Sequence, residues 1–360
     1  MAVAARDDRP VAVVLTHHHL KTRNAKTTHG MLRGPSRYRI GAVVDPDWRG
    51  QDAGEVAFGH PAGIPVLGDV TASMTLQPAP TVCVIGVATP GGVLPGDLRR
   101  GILEAADAGL TLVNGLHQFL SDDPEIAARV EAGGGRILDI RRPAPTARLR
   151  FWSGEVYGIR ARRVAILGTD CAVGKRTTAA LLLDACRRRG LESAMIYTGQ
   201  TGWLQGFPHG FIFDATPNDF VCGELEGALL ACAADGDPDL ILMEGQSGLR
   251  NPSGPCGAEF ILSGDAHGVI LQHAPGRRYY EGQDELRREI RPVAEEVELV
   301  RLMGSRVLAI TLSQEGLEPA AAQQARDRIG RETGLPTFLP LLDGMDDLAE
   351  LVARDCGQES

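Results

Sequence analysis

The chain has no C-x-x-C spacing. Its seven cysteines, Cys83, Cys171, Cys186, Cys222, Cys232, Cys256 and Cys356, are odd in number and scattered, which excludes a zinc ribbon and a disulfide framework and predicts reduced thiols. No apolar run approaches the length that spans a bilayer, and Asp7-Asp8-Arg9-Pro10 stands where a secretory leader would need an apolar core. A cytoplasmic protein without membrane contact is therefore expected. Positive charge is also in deficit, 37 Lys and Arg against 46 Asp and Glu, for a net charge of -9. A nucleic-acid binder usually shows a basic face, so small molecules are the expected partners. The one basic run, Arg141, Arg142, Arg148, Arg150, Arg160, Arg162 and Arg163, reads as a solvated surface between domains rather than an anion funnel.

What is present is ample apolar material for two cores, 43% of 360 residues. In the first half, Val11–Leu15, Ile40–Asp45, Thr81–Val87, Thr111–Asn114 and Arg136–Ile140 have the length and β-branching of buried parallel strands, with helical stretches at Leu98–Ala108 and Pro124–Ala132. Such alternation predicts a doubly wound, Rossmann-like α/β domain over residues 1–145. Two prolines in Arg142-Pro-Ala-Pro-Thr146 mark the boundary. Residues 146–360 repeat the logic, with strands at Val164–Leu167, Glu192–Tyr197, Leu240–Glu244, Gly268–Gln272 and Arg306–Thr311 and helices at Asp219–Ala234 and Ala320–Thr333. A parallel-sheet domain of the P-loop NTPase type is the economical fold there.

The second half owes that expectation to one segment. Val164–Leu167 runs into Gly168, Thr169, Asp170, Cys171, Ala172, Val173, Gly174, Lys175, Arg176, Thr177 and Thr178, and then into an apolar helix. In a phosphate-binding loop, backbone N–H groups point inward around the anion, the helix presents its positive end and a lysine reaches the outer oxygens. An ordinary strand-to-helix turn has no need of both Gly174 and Lys175. Two departures stand out: five residues rather than four separate Gly168 from Gly174, and Arg176 replaces the hydroxyl residue that usually follows the lysine. Magnesium ligation would then fall to Thr177 or Thr178, and without it the loop holds a phosphate but splits no nucleotide.

Ligands of parallel sheets sit at the carboxyl ends of strands. There the chain places Thr198-Gly-Gln-Thr-Gly-Trp203 and Glu244-Gly-Gln-Ser-Gly248, which nominate Thr198, Gln200, Thr201, Gln246 and Ser247 for a substrate and Glu244 for orienting magnesium or water. Arg277 is suited to grip a carboxylate. Among Asp170, Asp214, Asp219, Glu224 and Glu226, at least one is expected to meet a substrate amine or a metal. In the first half, Thr16-His-His-His19 lacks a spaced carboxylate partner, and consecutive histidines in a strand face opposite ways, so a metal is not indicated. With Lys21, Lys26, Thr27, Thr28 and Arg33 it reads as a basic loop suited to an anion.

GTDCAVGKRTT and the Met243-Glu-Gly-Gln-Ser-Gly248 strand end resemble dethiobiotin synthetase and its amidotransferase-type relatives, which imply ATP and Mg2+, with Thr177 and Glu244 as metal ligands, and activation of a carboxylate. The order Gly91-Gly92, Asn114-Gly-Leu-His117, an Arg-Pro linker, GTDCAVGKRTT, TGQTGW and EGQSGL resembles, over nearly the whole chain, a bacterial two-domain P-loop family that includes D-glutamate N-acetyltransferase. That resemblance implies acetyl-CoA as donor and a small acidic amino acid as acceptor. Its phosphates would be held by the loop with Lys175 and Arg176. Glu244 is the candidate base with Asp214 or His267 behind it, and the backbone at Gly199 or Gly245 would supply oxyanion donors. A third reading, a nucleotide-sensing regulator, leaves the polar strand ends without a task. A homo-oligomer is the expected assembly.

Overall fold

The computed structural model describes residues 7–357. The chain forms two compact units, Met1–Pro143 with Gln200–Gly206, and Ala144–Gly199 with Phe207–Ser360. The first is built on strands β1 (Val11–Leu15), β2 (Arg39–Val44), β3 (Val66–Leu67), β4 (Val82–Ile85), β5 (Thr111–Asn114) and β6 (Ile137–Asp139). Their order is β3-β2-β1-β4-β5-β6 and every neighbouring pair is parallel, the doubly wound Rossmann-like arrangement. All residues of β1 and β4 are buried, as a strand covered on both faces requires. One apolar cluster, around Leu15, Ile85, Leu112 and Ile102, covers one face, and a second, around Val14, Val43, Val84 and Met31, covers the other.

The segment Gln200–Gly206 belongs to this first unit although second-unit sequence flanks it. Leu204 is fully buried in the second cluster, Arg141 Nη2 donates to Gln200 Oε1 at 2.7 Å, and Gln205 Nε2 donates to the Gly30 carbonyl at 3.0 Å.

The second unit holds β7 (Arg162–Gly168), β8 (Ser193–Tyr197), β9 (His209–Gly210), β10 (Leu240–Glu244), β11 (Gly268–His273), β12 (Val307–Leu312) and β13 (Thr337–Phe338). They form one wholly parallel sheet in the order β13-β12-β11-β7-β10-β8-β9. β7 lies at its centre and is buried along all seven residues. Burial of a Val, Leu or Ile side chain contributes about 1.5–3 kcal/mol, so β7, β10 and β11 anchor the unit.

The basic run is not a solvated surface throughout. Arg141, Arg162 and Arg163 are buried: Arg141 Nε donates to the Gly115 carbonyl, Arg162 pairs with Asp355, and Arg163 bonds Asp265 and the carbonyls of Ile159 and Ala161. Each is buried because acceptors surround its guanidinium.

Residues 150–156 are fastened to the helix Asn218–Ala234. The Glu224 carboxylate accepts from the Arg150 amide at 2.9 Å. Glu226, wholly buried, accepts from the Ser153 amide and hydroxyl and from the Val156 amide. Glu226 is therefore spent within the fold and is not placed to meet a substrate amine or a metal, while Glu224 commits one oxygen to the backbone. Burial alone would raise the Glu226 pKa, but the bonds from Ser153, Val156 and Gly154 outweigh it and hold the carboxyl below the usual range. A lowered pKa gives stability that is present above the unfolded value near 4.5 and lost as pH falls through the folded one. Glu226→Gln is expected to destabilise the protein by about 1–3 kcal/mol at neutral pH in chemical denaturation. The gap from wild type should shrink on acidification, and a constant gap would contradict the assignment.

Candidate phosphate-binding site

β7 ends at Gly168 and the helix Lys175–Arg188 begins seven residues later. Gly174 precedes the helix at φ +106°, in the left-handed region that side chains disfavour, and it has no side chain with which to cap the first turn. The leading amides and the positive end of the helix macrodipole therefore face the loop without a side-chain partner, the arrangement that attracts an anion.

Asp170 sets the loop's shape. Its carboxylate is fully buried and accepts from four donors: Asn251 Nδ2 at 2.7 Å, its neighbour's amide at Cys171, Arg277 Nη1 at 2.8 Å and the Glu281 amide at 2.8 Å. Gln272, the buried last-but-one residue of β11, donates to the Val173 carbonyl and accepts from the hydroxyls of Thr178 and Thr311. The Thr169 hydroxyl lies 2.9 Å from His273 Nδ1, and the Thr169 amide donates to the Gln272 carbonyl. Each turn of the loop is thus tied to β11 or to the segments beyond it.

The charges are unevenly compensated. Lys175 Nζ donates to the carbonyls of Asp170, at 2.8 Å, and Ser247, and burial lowers its pKa. Arg176 is half-buried, and among the described residues its side chain makes no hydrogen bond or ion pair; burial lowers its pKa and the field of Glu244 opposes that. Glu244 closes β10, buried, with Oε2 accepting from the Thr198 amide at 3.2 Å. Burial pushes its pKa above the usual range, against the pull of Arg176, the Thr198 amide and Lys175. His273 is lowered to about 4 by burial and by Arg328 and Arg277, so its imidazole is neutral near pH 7.

Of the nominated residues, the fold gathers Gly168 to Thr178, Thr198, Glu244, Gln246 and Ser247. The Thr198 hydroxyl donates to the Glu244 carbonyl at 2.6 Å and accepts from Gln246 Nε2 at 2.8 Å, while Ser247 Oγ lies 3.3 Å from Cys171 Sγ. The Thr178 hydroxyl is committed to Gln272. Thr177 is half-buried and has no side-chain partner among the described residues.

Five nominations are corrected. His267 precedes β11, at the amino edge of the sheet, where its Nδ1 accepts from the Arg163 amide; parallel strands put the loop at the other edge. Arg277 holds Asp170, the Cys171 carbonyl and Glu315 rather than presenting a free fork to a carboxylate. Gln200 and Thr201 are buried in the first unit, with Gln200 on Arg141 and Thr201 beside Thr27. The Gly245 amide donates to the Ile166 carbonyl and is no oxyanion donor. Asp214 is exposed in a short turn after β9. Asn251, Gln272 and Gln283, whose Nε2 donates to Asn251 Oδ1 at 3.0 Å, shape the site without having been nominated. Gln272 alone carried a signal, as a polar residue at the end of an apolar strand.

A central parallel strand running into a glycine-bounded, lysine-bearing loop and an uncapped helix defines a P-loop protein, here with a Rossmann-like unit in the same chain. The chain belongs to the DUF1611 family: residues 150–349 match the model described as a domain of unknown function, the DUF1611_C P-loop domain, and residues 46–143 match the DUF1611_N Rossmann-like domain. A crystal structure of a DUF1611 family protein from Anabaena variabilis is 30% identical, superposes with a TM-score of 0.86, and covers 96% of this chain and 100% of its own. The chain is 28% identical to a protein from Tritonibacter scottomollicae named D-glutamate N-acetyltransferase, over 87% of this chain and 93% of that one. It is also 28% identical to a protein of the same name from a Pseudoalteromonas species, over 74% and 79%.

Asp170→Asn takes from the half-buried Arg277 its one fully buried carboxylate partner and removes an acceptor from the loop. The variant is expected to lose about 3 kcal/mol of stability and to exchange the amides of residues 168–178 faster in hydrogen-exchange mass spectrometry. Exchange at the wild-type rate would show that Asp170 does not hold the loop.

Proposed function

We propose that the protein is an N-acetyltransferase that moves an acetyl group from acetyl-CoA to the amine of a small acidic amino acid such as D-glutamate. The observation that carries this reading is that both relatives named D-glutamate N-acetyltransferase match across both units of the chain. The loop fits a phosphate-bearing donor: the first-turn amides of the helix Lys175–Arg188 are uncapped, Gly174 leaves the cradle open, and Arg176 has no protein partner among the described residues. Coenzyme A offers a pyrophosphate and a ribose phosphate, which the loop amides, Lys175 and Arg176 would hold. An arginine in place of the usual hydroxyl suits an anion that is gripped rather than one presented to magnesium.

Acetyl-CoA supplies an activated acyl carbon as a thioester. The ammonium of the acceptor must lose a proton before its nitrogen can form the N–C bond; the C–S bond then breaks, and the departing thiolate takes up the second proton that the nitrogen sheds as it becomes an amide. Glu244 accepts that proton: its raised pKa makes it a stronger base than a solvated carboxylate, and Lys175 and Arg176 temper the rise. The Thr198 amide and the Gln246 side chain fix the Glu244 strand end. Gly199 is left as the backbone donor for charge on the carbonyl oxygen, since the amide of Gly245 is engaged.

Calorimetric titration with acetyl-CoA, and separately with ATP and Mg2+, is expected to show acetyl-CoA binding that Lys175→Ala removes. ATP binding alone would replace this reading with a carboxylate-activating ligase or kinase. Glu244→Gln should retain acetyl-CoA binding and lose about 10²–10⁴-fold in kcat. In wild type, the acid limb of kcat/KM should fall above pH 4.5, because the base must be ionised and its pKa is raised. An E244Q protein with normal turnover rules out Glu244 as the base.

A further inference from the structure

The histidine run of the first unit meets carboxylates that its sequence neighbourhood does not contain. β1 ends at Leu15, and His17 and His18 turn in the left-handed region at φ +32° and +63°, so the two-residue alternation of a strand no longer governs where they point. β2, parallel to β1, delivers Asp45 and Asp47 to the same edge of the sheet. His18 Nδ1 lies 2.8 Å from Asp47 Oδ1, and one ligand atom from each of His18, Asp45 and Asp47 lies within 4.8 Å of the others.

Two observations besides this proximity point to a cation. Asp45 is fully buried and held rigidly: Oδ2 accepts from the Thr16 hydroxyl at 2.9 Å and the Leu20 amide at 3.0 Å, and Oδ1 from the Asp47 amide at 3.2 Å. Outer hydrogen bonds of this kind orient ligating carboxylates in metal sites. The local charge is also short of cations. Among the described residues no lysine or arginine pairs with Asp45 or Asp47, whose one basic partner is His18 itself, and the Lys21 ammonium sits 5.2 Å from the centre of the Trp48 ring. Arg33, read from sequence as part of an anion-binding loop, likewise stacks on Phe58.

We propose that His18, Asp45 and Asp47 bind one divalent first-row transition metal ion. One imidazole and two carboxylates suit zinc, cobalt or manganese, and three protein ligands leave positions open to water. The site lies wholly within the first unit and is independent of the reaction assigned to the second.

The test uses the full chain, free of any histidine tag and stripped by a chelator, titrated calorimetrically with Zn2+ and with Co2+. One equivalent per chain is expected, with Co2+ absorption bands reporting nitrogen and oxygen ligation. His18→Ala and Asp47→Asn, both at half-exposed positions, should each weaken uptake at least about tenfold, while His19→Ala should not. Zn2+ should raise the thermal midpoint of wild type and H19A but not of H18A or D47N. Failure of the wild-type chain to take up a stoichiometric ion, or uptake equal in H18A and D47N with native circular dichroism, overturns the proposal.

Discussion

The buried carboxylate of Asp170 is the constraint on which the candidate site depends. An isolated charge at that depth would cost several kcal/mol, and four donors, one of them cationic, offset the cost. Those donors come from the loop itself, from Asn251 beyond β10, and from Arg277 and Glu281 beyond β11. One carboxylate therefore fixes the position of three chain segments relative to the sheet. It also decides which positive charge is left over. Arg277 is neutralised by Asp170 and Glu315, whereas Arg176, one residue into the helix, meets only the field of Glu244.

That asymmetry links the loop to the strand end. Lys175 and Arg176 both lower the pKa of Glu244 against the effect of burial. An anion at the loop draws on the same two cations, so it must weaken their hold on the Glu244 proton equilibrium, and by reciprocity the ionisation of Glu244 must weaken anion binding. A carboxylate placed there is a more effective base with the loop occupied than with it empty. This follows from charge and burial alone, whatever the anion is.

Most of the fold was legible because buried parallel strands write themselves as β-branched runs. Val11–Leu15, Thr111–Asn114 and Leu240–Glu244 read at their true bounds. The two-residue strands β3, β9 and β13 are too short for any periodicity, and nothing in TGQTGW signals that Gln200–Gly206 packs with the first unit. The loop was legible because glycine and lysine at fixed spacing have few structural alternatives. The roles of His267 and Arg277 were not, since sequence order does not say which edge of a sheet a residue occupies or which neighbour has already claimed a guanidinium. Asn251 and Gln283 were silent for a related reason: their task is to satisfy other protein groups, and that leaves no pattern along the chain.

The two units show how little a parallel sheet dictates about its ligand. Both present loops at the carboxyl edge of central strands, where backbone amides and helix ends favour anions. In the second unit glycine exposes those amides and Arg176 adds charge. In the first, Asp45 takes up the amides of Leu20 and Asp47 and the hydroxyl of Thr16, so the same edge carries two carboxylates next to an imidazole. Under the two proposals, strand-end chemistry, a carboxylate in one case and a lysine in the other, would reverse the sign of what the edge attracts.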